Sequence, residues 1–386
     1  MPASDVLVIG AGPAGLAVAA CLRQHGVAYD MVTRDDSVAA AWRRHYERLH
    51  LHTVKRHSAL PGMPWPASAP RYPSRQQVVD YLDRYAAAHH IRPQLGVEVQ
   101  RVRRLQDGFQ VTTSAGTLHP RSVVVATGYN GVPKAPSFPG LENFKGLALH
   151  SRDYRNATPF KGRRTLVVGC GNSGAEIALD LAEQGVAVTL VVRSPVHVVP
   201  RDLLGRPAQA TSLMLAPLPA RWRDAIVGPV LRVAVGDLRA YGITRPAMGL
   251  NQMIEQQGRI PLLDIGTVAQ IKAGRMAVRP AVQQVNGHTV RFADGREEAY
   301  EGLVLATGYD SGLARFIDGF DAIADSRGRP HRFGEETGIP GLYFVGFRNP
   351  STGALREIAR EAPRVAAALA APPAAARAAP HQNLQP

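Results

Sequence analysis

The sequence predicts an α/β fold made of two dinucleotide-binding domains of the Rossmann type. Two glycine-rich fingerprints carry this prediction, since each follows a strand-like apolar run and opens a helix-like run: Gly10-x-Gly12-x-x-Gly15 and Gly169-x-Gly171-x-x-Gly174. A strand-like run ending in Ala-Thr-Gly-Tyr follows each fingerprint, at 122–129 and 302–309. Because the second fingerprint lies between these two runs, we expect the second domain to be inserted into the first.

The expected domain boundaries follow from this arrangement. The first domain takes residues 1–160 together with 290–367, and the second takes residues 161–289. Residues 75–90 have the apolar spacing of a helix, and Asp107-Gly108 between two strand-like runs predicts a hairpin. The segment 368–386 is rich in Ala and Pro and is expected to be disordered.

The composition is typical of a soluble globular protein. The chain has 386 residues, of which 45% are hydrophobic, and it has no 18-residue apolar run, so we expect no transmembrane segment. Cys21 and Cys170 lack the spacing of a redox dithiol, and so few cysteines favour a reducing, cytoplasmic location. The net charge of +14 comes from dispersed arginines rather than a basic block, so we expect no nucleic-acid partner. The histidines lack ligand spacing, and no metal site is expected.

The glycines of each fingerprint have a physical role in binding a pyrophosphate. They permit a tight turn and a close approach of the backbone to the phosphates. The helix that follows offers unpaired N–H groups and the positive end of its dipole. Two such cradles in one chain indicate two dinucleotides, and therefore electron transfer between them.

The strand that follows each fingerprint indicates which dinucleotide is bound. Arg193 stands 19 residues past Gly174 and is followed by Ser194. A cation and a hydroxyl at that point suit the 2′-phosphate of NADP, which an acid would repel. The corresponding slot of the first domain usually holds Asp or Glu for a ribose hydroxyl pair, but here it holds Thr33, followed by Arg34. A threonine hydroxyl binds a ribose less strongly than a carboxylate does, so we expect a working but looser site.

Further motifs resemble those of the flavin-containing monooxygenases over nearly the whole chain. Phe144-x-Gly146-x-x-x-His150 matches the pattern F-x-G-x-x-x-H that precedes the second fingerprint in that family. Tyr154 stands where Baeyer–Villiger members typically have Trp. The long stretches at 46–66, 72–93 and 261–278 look most like the plant YUCCA-type enzymes, which convert indole-3-pyruvate to indole-3-acetate.

The resemblance implies an enzyme that uses FAD in the first cradle and NADPH in the second. Reduced flavin would take up oxygen as a C4a-(hydro)peroxyflavin and oxygenate a small organic substrate, such as an aromatic 2-oxo acid. The alternatives are an N/S-oxygenating or Baeyer–Villiger relative, a reductase that passes electrons elsewhere, and a nucleotide-binding redox sensor.

The resemblance also implies two sets of cofactor-binding residues. The FAD set is Gly10, Gly12, Pro13, Ala14, Gly15, Thr33, Arg34, Trp42, Leu51, His52, Thr127, Gly128, Gly308 and Gly346. The NADP set is Gly169, Gly171, Asn172, Ser173, Gly174, Glu176, Arg193, Ser194 and Arg201. Among these, His52 is the candidate catalytic residue beside the flavin, and its alternative interpretation is a hydrogen-bonded core histidine.

Residues 211–240 form an apolar stretch that the motifs do not explain. Pro217, Pro219 and Pro229 interrupt it, so it is too broken to span a membrane. Contact with a membrane surface and a hydrophobic substrate entrance both fit this pattern, as does packing at a domain or subunit interface. The sequence leaves the oligomeric state open.

Overall fold

The computed structural model describes residues 4–348 and 350–371. Over those residues the chain forms nine α-helices: α1 Pro13–Gln24, α2 Ala40–Arg43, α3 Arg75–Ala88, α4 Asn172–Glu183, α5 Ala208–Leu215, α6 Ala220–Val235, α7 Leu250–Gln257, α8 Thr267–Lys272 and α9 Ala354–Ala370. The strands of the first part are β1 Val6–Ile9, β2 Tyr29–Val32, β3 Val99–Leu105, β4 Gly108–Thr113, β5 Gly116–Leu118, β6 Ser122–Val125, β7 Val132–Pro133 and β8 Leu147–His150. Those of the middle part are β9 Thr165–Val168, β10 Val188–Val191, β11 Val198–Pro200, β12 Asp202–Leu203, β13 Arg206–Pro207, β14 Leu262–Asp264 and β15 Met276–Arg279. The last are β16 Val282–Asn286, β17 Thr289–Phe292, β18 Glu297–Ala299, β19 Gly302–Leu305, β20 Tyr309–Asp310 and β21 Leu342–Phe344.

The first domain is built on a four-stranded parallel sheet with the order β2-β1-β6-β21. All four residues of β1 are buried, as expected for a strand whose two faces are both covered. Helix α1 follows β1 directly and packs against α9 and α3. The predicted helix at 75–90 is α3, which begins after a capping box formed by Ser74 and Gln77.

The second domain is built on a five-stranded parallel sheet with the order β15-β10-β9-β19-β8. The chain leaves the first sheet after β6 and returns to it only at β21, so the second domain is inserted into the first, as predicted. A three-stranded antiparallel meander, β16-β17-β18, precedes the last strand of this sheet, β19.

The expected boundaries of the inserted domain put four strands in the wrong domain. Residues 147–150 and 302–305 were assigned to the first domain, but β8 and β19 both lie in the second sheet. Residues 290–299 were assigned there too, but β17 and β18 pair with β16, and β17 packs against β9 and β10. A short buried apolar strand is equally suited to either sheet, so its sequence does not identify its neighbours. Only the tertiary pairing of β19 with β9 assigns it.

This pairing shows that the two domains repeat one arrangement. In the first sheet the fingerprint strand β1 pairs with β6, which is followed by Ala-Thr-Gly-Tyr. In the second sheet the fingerprint strand β9 pairs with β19, which is followed by the same four residue types. Each fingerprint turn therefore lies beside an Ala-Thr-Gly turn at the carboxyl edge of its sheet, where parallel α/β folds bind ligands.

The predicted hairpin at Asp107-Gly108 is present, since β3 and β4 pair antiparallel with Leu105 opposite Gly108. The segment 368–386 was expected to be disordered throughout, but α9 continues to Ala370. The part of that segment from 372 onward lies outside the described residues. No helix within the described ranges is long and apolar enough to cross a membrane.

Candidate functional site

A cavity of about 650 Å³ lies between the two fingerprints. The N-terminal turn of α1 contributes Gly12, Pro13 and Ala14 to its wall, and the N-terminal turn of α4 contributes 171–174. Both helices thus direct their unpaired N–H groups and positive dipole ends at one space. Such an arrangement can hold two anionic dinucleotides with their reactive ends close together.

The glycines of the two cradles have matching surroundings. A Cβ on Gly15 would lie 1.8 Å from the Gly10 carbonyl oxygen, and one on Gly174 would lie 1.9 Å from that of Gly169. Gly10 and Gly169 both have positive φ, at 108° and 116°, and abut the backbones of Ala126 and Ala306. These four glycines are required by the protein's own packing.

The middle glycine of each fingerprint differs from the other two. No atom lies within 4 Å of a Cβ built on Gly12 or on Gly171, and both residues have extended backbone that accepts any side chain. Both line the cavity. The absence of a side chain at these positions is therefore explained by a ligand that approaches the backbone and not by the fold.

The Ala-Thr-Gly turns and the last strand complete the walls. Thr127, Gly128, Gly308 and Gly346 line the cavity, and the three glycines have φ between 74° and 84°. Gly346 follows β21 and lies against the first cradle, since a Cβ there would be 2.7 Å from the Ala14 Cβ. Thr127, Gly128 and Gly346 lie at the first cradle, where FAD was expected. Gly308 was also expected to bind FAD, but it follows β19 and lies on the side of the second cradle, because β19 pairs with β9.

A buried carboxyl group supports Gly346 from behind. Glu361 on α9 is 1% exposed, and its Oε2 accepts a hydrogen bond of 3.0 Å from the Gly346 N–H. Its Oε1 is buried without a partner among the described residues. Burial raises the pKa of Glu361 to about 7, against the opposing effects of the Gly346 N–H and of Arg348.

The expected ribose-binding position of the first domain, Thr33, lies directly after the end of β2. Thr33 is 5% exposed, its N–H donates to the Gln94 carbonyl at 3.0 Å, and its hydroxyl accepts from the Asp35 N–H at 3.4 Å. Arg34 is exposed, and neither Thr33 nor Arg34 lines the cavity between the cradles. The nearby Asp35 is not free to bind the ribose in place of the missing acid, because its carboxylate forms an ion pair with Arg44 at 2.8 Å.

The corresponding edge of the second domain is cationic. Arg193 and Ser194 are exposed just beyond β10, and the Arg259 guanidinium donates to the Ser194 hydroxyl at 3.5 Å. Arg259 is 65 residues away in the chain, so no sequence spacing indicated it. Arg201 is engaged elsewhere, because it pairs with Asp202 at 3.1 Å and stacks on the Tyr72 ring at 4.1 Å. The stacking on Tyr72 connects the two domains. Because its guanidinium is already engaged, Arg201 is a weaker candidate for binding the 2′-phosphate than the sequence indicated.

Residues 46–54, here called the interdomain segment, run from the first domain along the second. The Tyr46 hydroxyl donates to Glu176 Oε2 at 3.2 Å, and His52 Nε2 contacts Glu176 Oε1. Further along, the Val54 N–H donates to the Gln209 side chain of α5 at 2.9 Å. Glu176 is 1% exposed and does not line the cavity, so its expected contact with NADP is wrong. Its side chain contacts Tyr46 and His52 of the interdomain segment instead of reaching the cavity.

Other predicted residues divide between the cavity and the scaffold. Trp42, Leu51, His52, Asn172 and Ser173 line the cavity. The Asn172 side chain accepts a hydrogen bond of 2.8 Å from the Leu263 N–H, which ties α4 to β14. The motif from Phe144 to His150 leads into β8, and Gly146 is required there because a Cβ would lie 2.3 Å from the Glu301 carbonyl oxygen.

The cavity also has residues that the sequence interpretation missed. His45, Tyr46 and Arg223 line it. Burial lowers the pKa of His45 to about 4, against the opposing charge of Glu176, so its ring is neutral at physiological pH. Burial, reinforced by Glu176, holds the pKa of Tyr46 well above its usual value. No motif spacing marks these three residues, because they meet only when the two domains are folded together.

Comparisons with known proteins agree with this geometry. A family model for pyridine nucleotide-disulphide oxidoreductases matches residues 7–202. The indole-3-pyruvate monooxygenase YUCCA1 of Oryza sativa subsp. japonica is 39% identical over 351 residues, covering 88% of this chain and 86% of the relative. YUCCA6 of Arabidopsis thaliana is 37% identical over 353 residues, covering 88% and 85%. A double mutant of the flavin monooxygenase from Stenotrophomonas maltophilia superposes with a TM-score of 0.72 at 25% identity, covering 96% of this chain and 99% of that chain.

The chain belongs to the flavin-containing monooxygenase family. Its curated relatives are the YUCCA-type members, as the sequence motifs indicated. It is an FAD- and NADPH-dependent monooxygenase that acts on a small molecule with molecular oxygen. The open spaces at Gly12 and Gly171 fit the two dinucleotides that such an enzyme requires.

The buried carboxyl behind Gly346 gives this monooxygenase a pH-dependent stability. The pKa of Glu361 is raised from 4.5 to about 7 in the folded chain, so the unfolded chain loses this proton first as the pH rises. The free energy of unfolding is therefore expected to fall by roughly 3 kcal/mol between the two pKa values. Glu361→Gln should remove that decrease, which guanidinium unfolding at pH 4.5 and pH 8 measures. The exposed Glu335→Gln is the control, and an equal slope in both variants would contradict the assignment.

Restoring the acid at the first ribose slot is expected to tighten FAD retention. Thr33→Glu would add a carboxylate at the end of β2, and charge-assisted hydrogen bonds contribute roughly 1.5–3 kcal/mol each. The measurement is the dissociation constant of FAD from the apoprotein, read by flavin fluorescence. Ala28→Glu, which adds the same carboxylate at the exposed position before the other end of β2, is the control. Unchanged or weaker FAD binding by Thr33→Glu would refute the looser-site hypothesis.

Proposed function

We propose that this monooxygenase converts an aromatic 2-oxo acid, such as indole-3-pyruvate, into the corresponding arylacetate. The observation that carries the proposal is the names of curated relatives that are 35–39% identical over most of the chain. Each is named as an indole-3-pyruvate monooxygenase or as a probable one. The reaction consumes the 2-oxo acid, O₂, NADPH and a proton, and yields the arylacetate, CO₂, NADP⁺ and water. One oxygen atom of O₂ enters the new carboxylate and the other leaves as water.

The residues of this chain bind, orient and enclose the reactants. Gly12, with Pro13 and Ala14, would hold the FAD pyrophosphate, and Gly171 with Ser173 would hold that of NADPH. Arg193 and Ser194, joined by Arg259, would hold the 2′-phosphate. Bound FAD supplies the redox chemistry of the site, accepting a hydride and activating oxygen.

The remaining walls of the cavity favour an apolar substrate. Leu203, Leu215, Val227 and Leu231 line it from the second domain. The neutral ring of His45 and the protonated hydroxyl of Tyr46 add no charge to this space at physiological pH. An aryl group would bury its ring against these aliphatic side chains.

The test must separate enzymatic oxygenation from a side reaction, because free hydrogen peroxide decarboxylates 2-oxo acids without an enzyme. Purified enzyme with NADPH, indole-3-pyruvate and ¹⁸O₂ is assayed in excess catalase. Indole-3-acetate carrying one ¹⁸O atom in its carboxylate, formed in step with NADPH oxidation, is the expected result. Product that disappears with catalase would refute the proposal. Oxygenation of thioanisole or cyclohexanone, but of no 2-oxo acid, would favour the N/S-oxygenating or Baeyer–Villiger alternative.

We also propose that residues 211–240 contact an anionic membrane surface. One face of α6 leaves Trp222, Ile226, Val230 and Val233 exposed, at 56%, 48%, 45% and 87%, while the neighbouring face lines the cavity. Arg221 and Arg232 flank this apolar face, and neither has a carboxylate partner within the described ranges. Their charge complements anionic headgroups and disfavours pairing with a second copy of a chain that carries +14.

Vesicle sedimentation tests this surface. Wild-type enzyme should bind phosphatidylserine-containing vesicles more strongly than phosphatidylcholine vesicles, and Val233→Glu should abolish the difference. Leu105→Glu, at an exposed apolar position of β3, is the matched control. Equal vesicle binding by Val233→Glu and the control would refute the membrane contact. Dimerisation lost only in Val233→Glu would instead assign the face to packing between copies. We further propose a cytoplasmic location, because the two cysteines are both free thiols, as is typical of proteins in a reducing compartment.

A further inference from the structure

Glu176 is a buried acid at the boundary between the two domains. It lies on α4, one helical turn beyond Ser173 of the second cradle, and its side chain is 1% exposed. Both of its oxygens are directed at the interdomain segment, Oε1 at His52 Nε2 and Oε2 at the Tyr46 hydroxyl. Burying a carboxylate is costly unless its oxygens accept hydrogen bonds, and here both hydrogen-bond partners come from the other domain.

His52 is the more exposed partner and reaches the cavity. Its side chain is 18% exposed and lines the cavity between the cradles, whereas Glu176 does not line it. A carboxylate can only accept hydrogen bonds, so the contact requires the proton on Nε2 and leaves Nδ1 free of that bond. Glu176 thereby fixes both the orientation of the ring and its tautomer.

We propose that Glu176 is the residue that positions His52 for the reaction of the reduced flavin with oxygen. The second domain would thus set the geometry of a first-domain side chain, through the same helix whose N-terminus binds NADPH. The inference depends on the proposed flavin-side role of His52. It makes Glu176 a positioning residue, since it touches neither the cavity nor the reactants.

The first test uses a reaction that requires no organic substrate. Without one, NADPH, O₂ and a proton yield NADP⁺ and hydrogen peroxide, and a poorly positioned His52 should speed this release. We expect Glu176→Gln, which preserves shape but lets an amide replace the acceptor-only carboxylate, to raise the rate roughly tenfold. His52→Leu should do the same. The double variant Glu176→Gln with His52→Leu should release peroxide no faster than His52→Leu alone, because the two residues act as one unit.

The matched control is Glu183→Gln on the same helix. Glu183 also bridges the domains, through Arg48, but it does not line the cavity or contact His52. Its variant should keep the wild-type rate of peroxide release and so shows what the loss of an interdomain ion pair does by itself. Independent effects that multiply in the double variant, or equal rates in Glu176→Gln and Glu183→Gln, would overturn the proposal.

The second test reads the tautomer directly. In ¹⁵N-histidine-labelled holoenzyme at pH 8, the His52 signals are assigned by their absence in His52→Leu. Wild type and Glu183→Gln should show a protonated Nε2 and an unprotonated Nδ1, and Glu176→Gln should show a mixture. An unchanged His52 tautomer in Glu176→Gln would overturn the proposal. Neither test uses a 2-oxo acid, so failure of the proposed substrate would leave both results interpretable.

Discussion

Gly12→Ala is expected to yield a folded protein that retains less FAD than the wild type. The backbone of Gly12 is extended and its Cβ position has no neighbour within 4 Å, so the fold accepts a methyl group there. The added methyl group points into the cavity, where it would meet the FAD pyrophosphate. Overpacking of about 1–3 kcal/mol would weaken FAD binding by roughly 5- to 150-fold. The flavin absorbance after gel filtration and the dissociation constant of added FAD measure the effect.

Gly171→Ala is the matched variant in the other domain. It has the same extended backbone and the same open surroundings, so the protein should stay yellow while its affinity for NADPH falls by a similar factor. Gly15→Ala provides the contrast, because its Cβ would clash with the Gly10 carbonyl oxygen at 1.8 Å and destabilise the fold itself. Loss of FAD from Gly171→Ala, with FAD retained by Gly12→Ala, would reverse the assignment of the two cofactors.

Arg193→Ala is expected to weaken NADPH far more than NADH. Arg193 is exposed at the end of β10, beside Ser194, and the 2′-phosphate distinguishes the two coenzymes. Loss of a charge-assisted hydrogen bond, of roughly 1.5–3 kcal/mol, would raise KM for NADPH by about 10- to 100-fold and leave KM for NADH unchanged. Steady-state kinetics with both coenzymes measures this ratio.

The control for Arg193 comes from the structure. Arg201 is paired with Asp202 and stacked on Tyr72, so Arg201→Ala should affect both coenzymes equally. Arg259→Ala should behave like Arg193→Ala, though with a smaller effect because its contact with Ser194 is long, at 3.5 Å. If Arg201→Ala lost affinity for NADPH but not for NADH, and Arg193→Ala did not, Arg201 would be the residue that contacts the 2′-phosphate, as the sequence predicted.

The residues whose position depends on local chain geometry were predicted well. A strand, a glycine turn and a helix N-terminus are neighbours in sequence, so the two fingerprints could be placed before any long-range contact was known. The open space beside the middle glycines supports this placement, since their lack of a side chain has no explanation in the fold. Local geometry also places Arg193 and Ser194 at a strand end.

The residues whose position depends on contacts between distant segments were not predictable in the same way. Glu176 lies in the second fingerprint helix and was expected to bind NADP, but it faces His52, 124 residues earlier in the chain. Arg259 meets Ser194 across 65 residues, and β19 lies beside β9 instead of in the first sheet.

Two dinucleotide cradles, the insertion of the second domain into the first, and the resemblance to YUCCA-type flavin monooxygenases could all be recognised from the amino-acid sequence. Periodicity, glycine spacing and caps act within one or two elements, so they can be recognised along the chain. The sheet that receives each strand before an Ala-Thr-Gly turn, and the acid that contacts His52, became apparent only from the three-dimensional fold. Both depend on packing and hydrogen bonding between segments far apart in sequence, which leave no periodic signal in either segment.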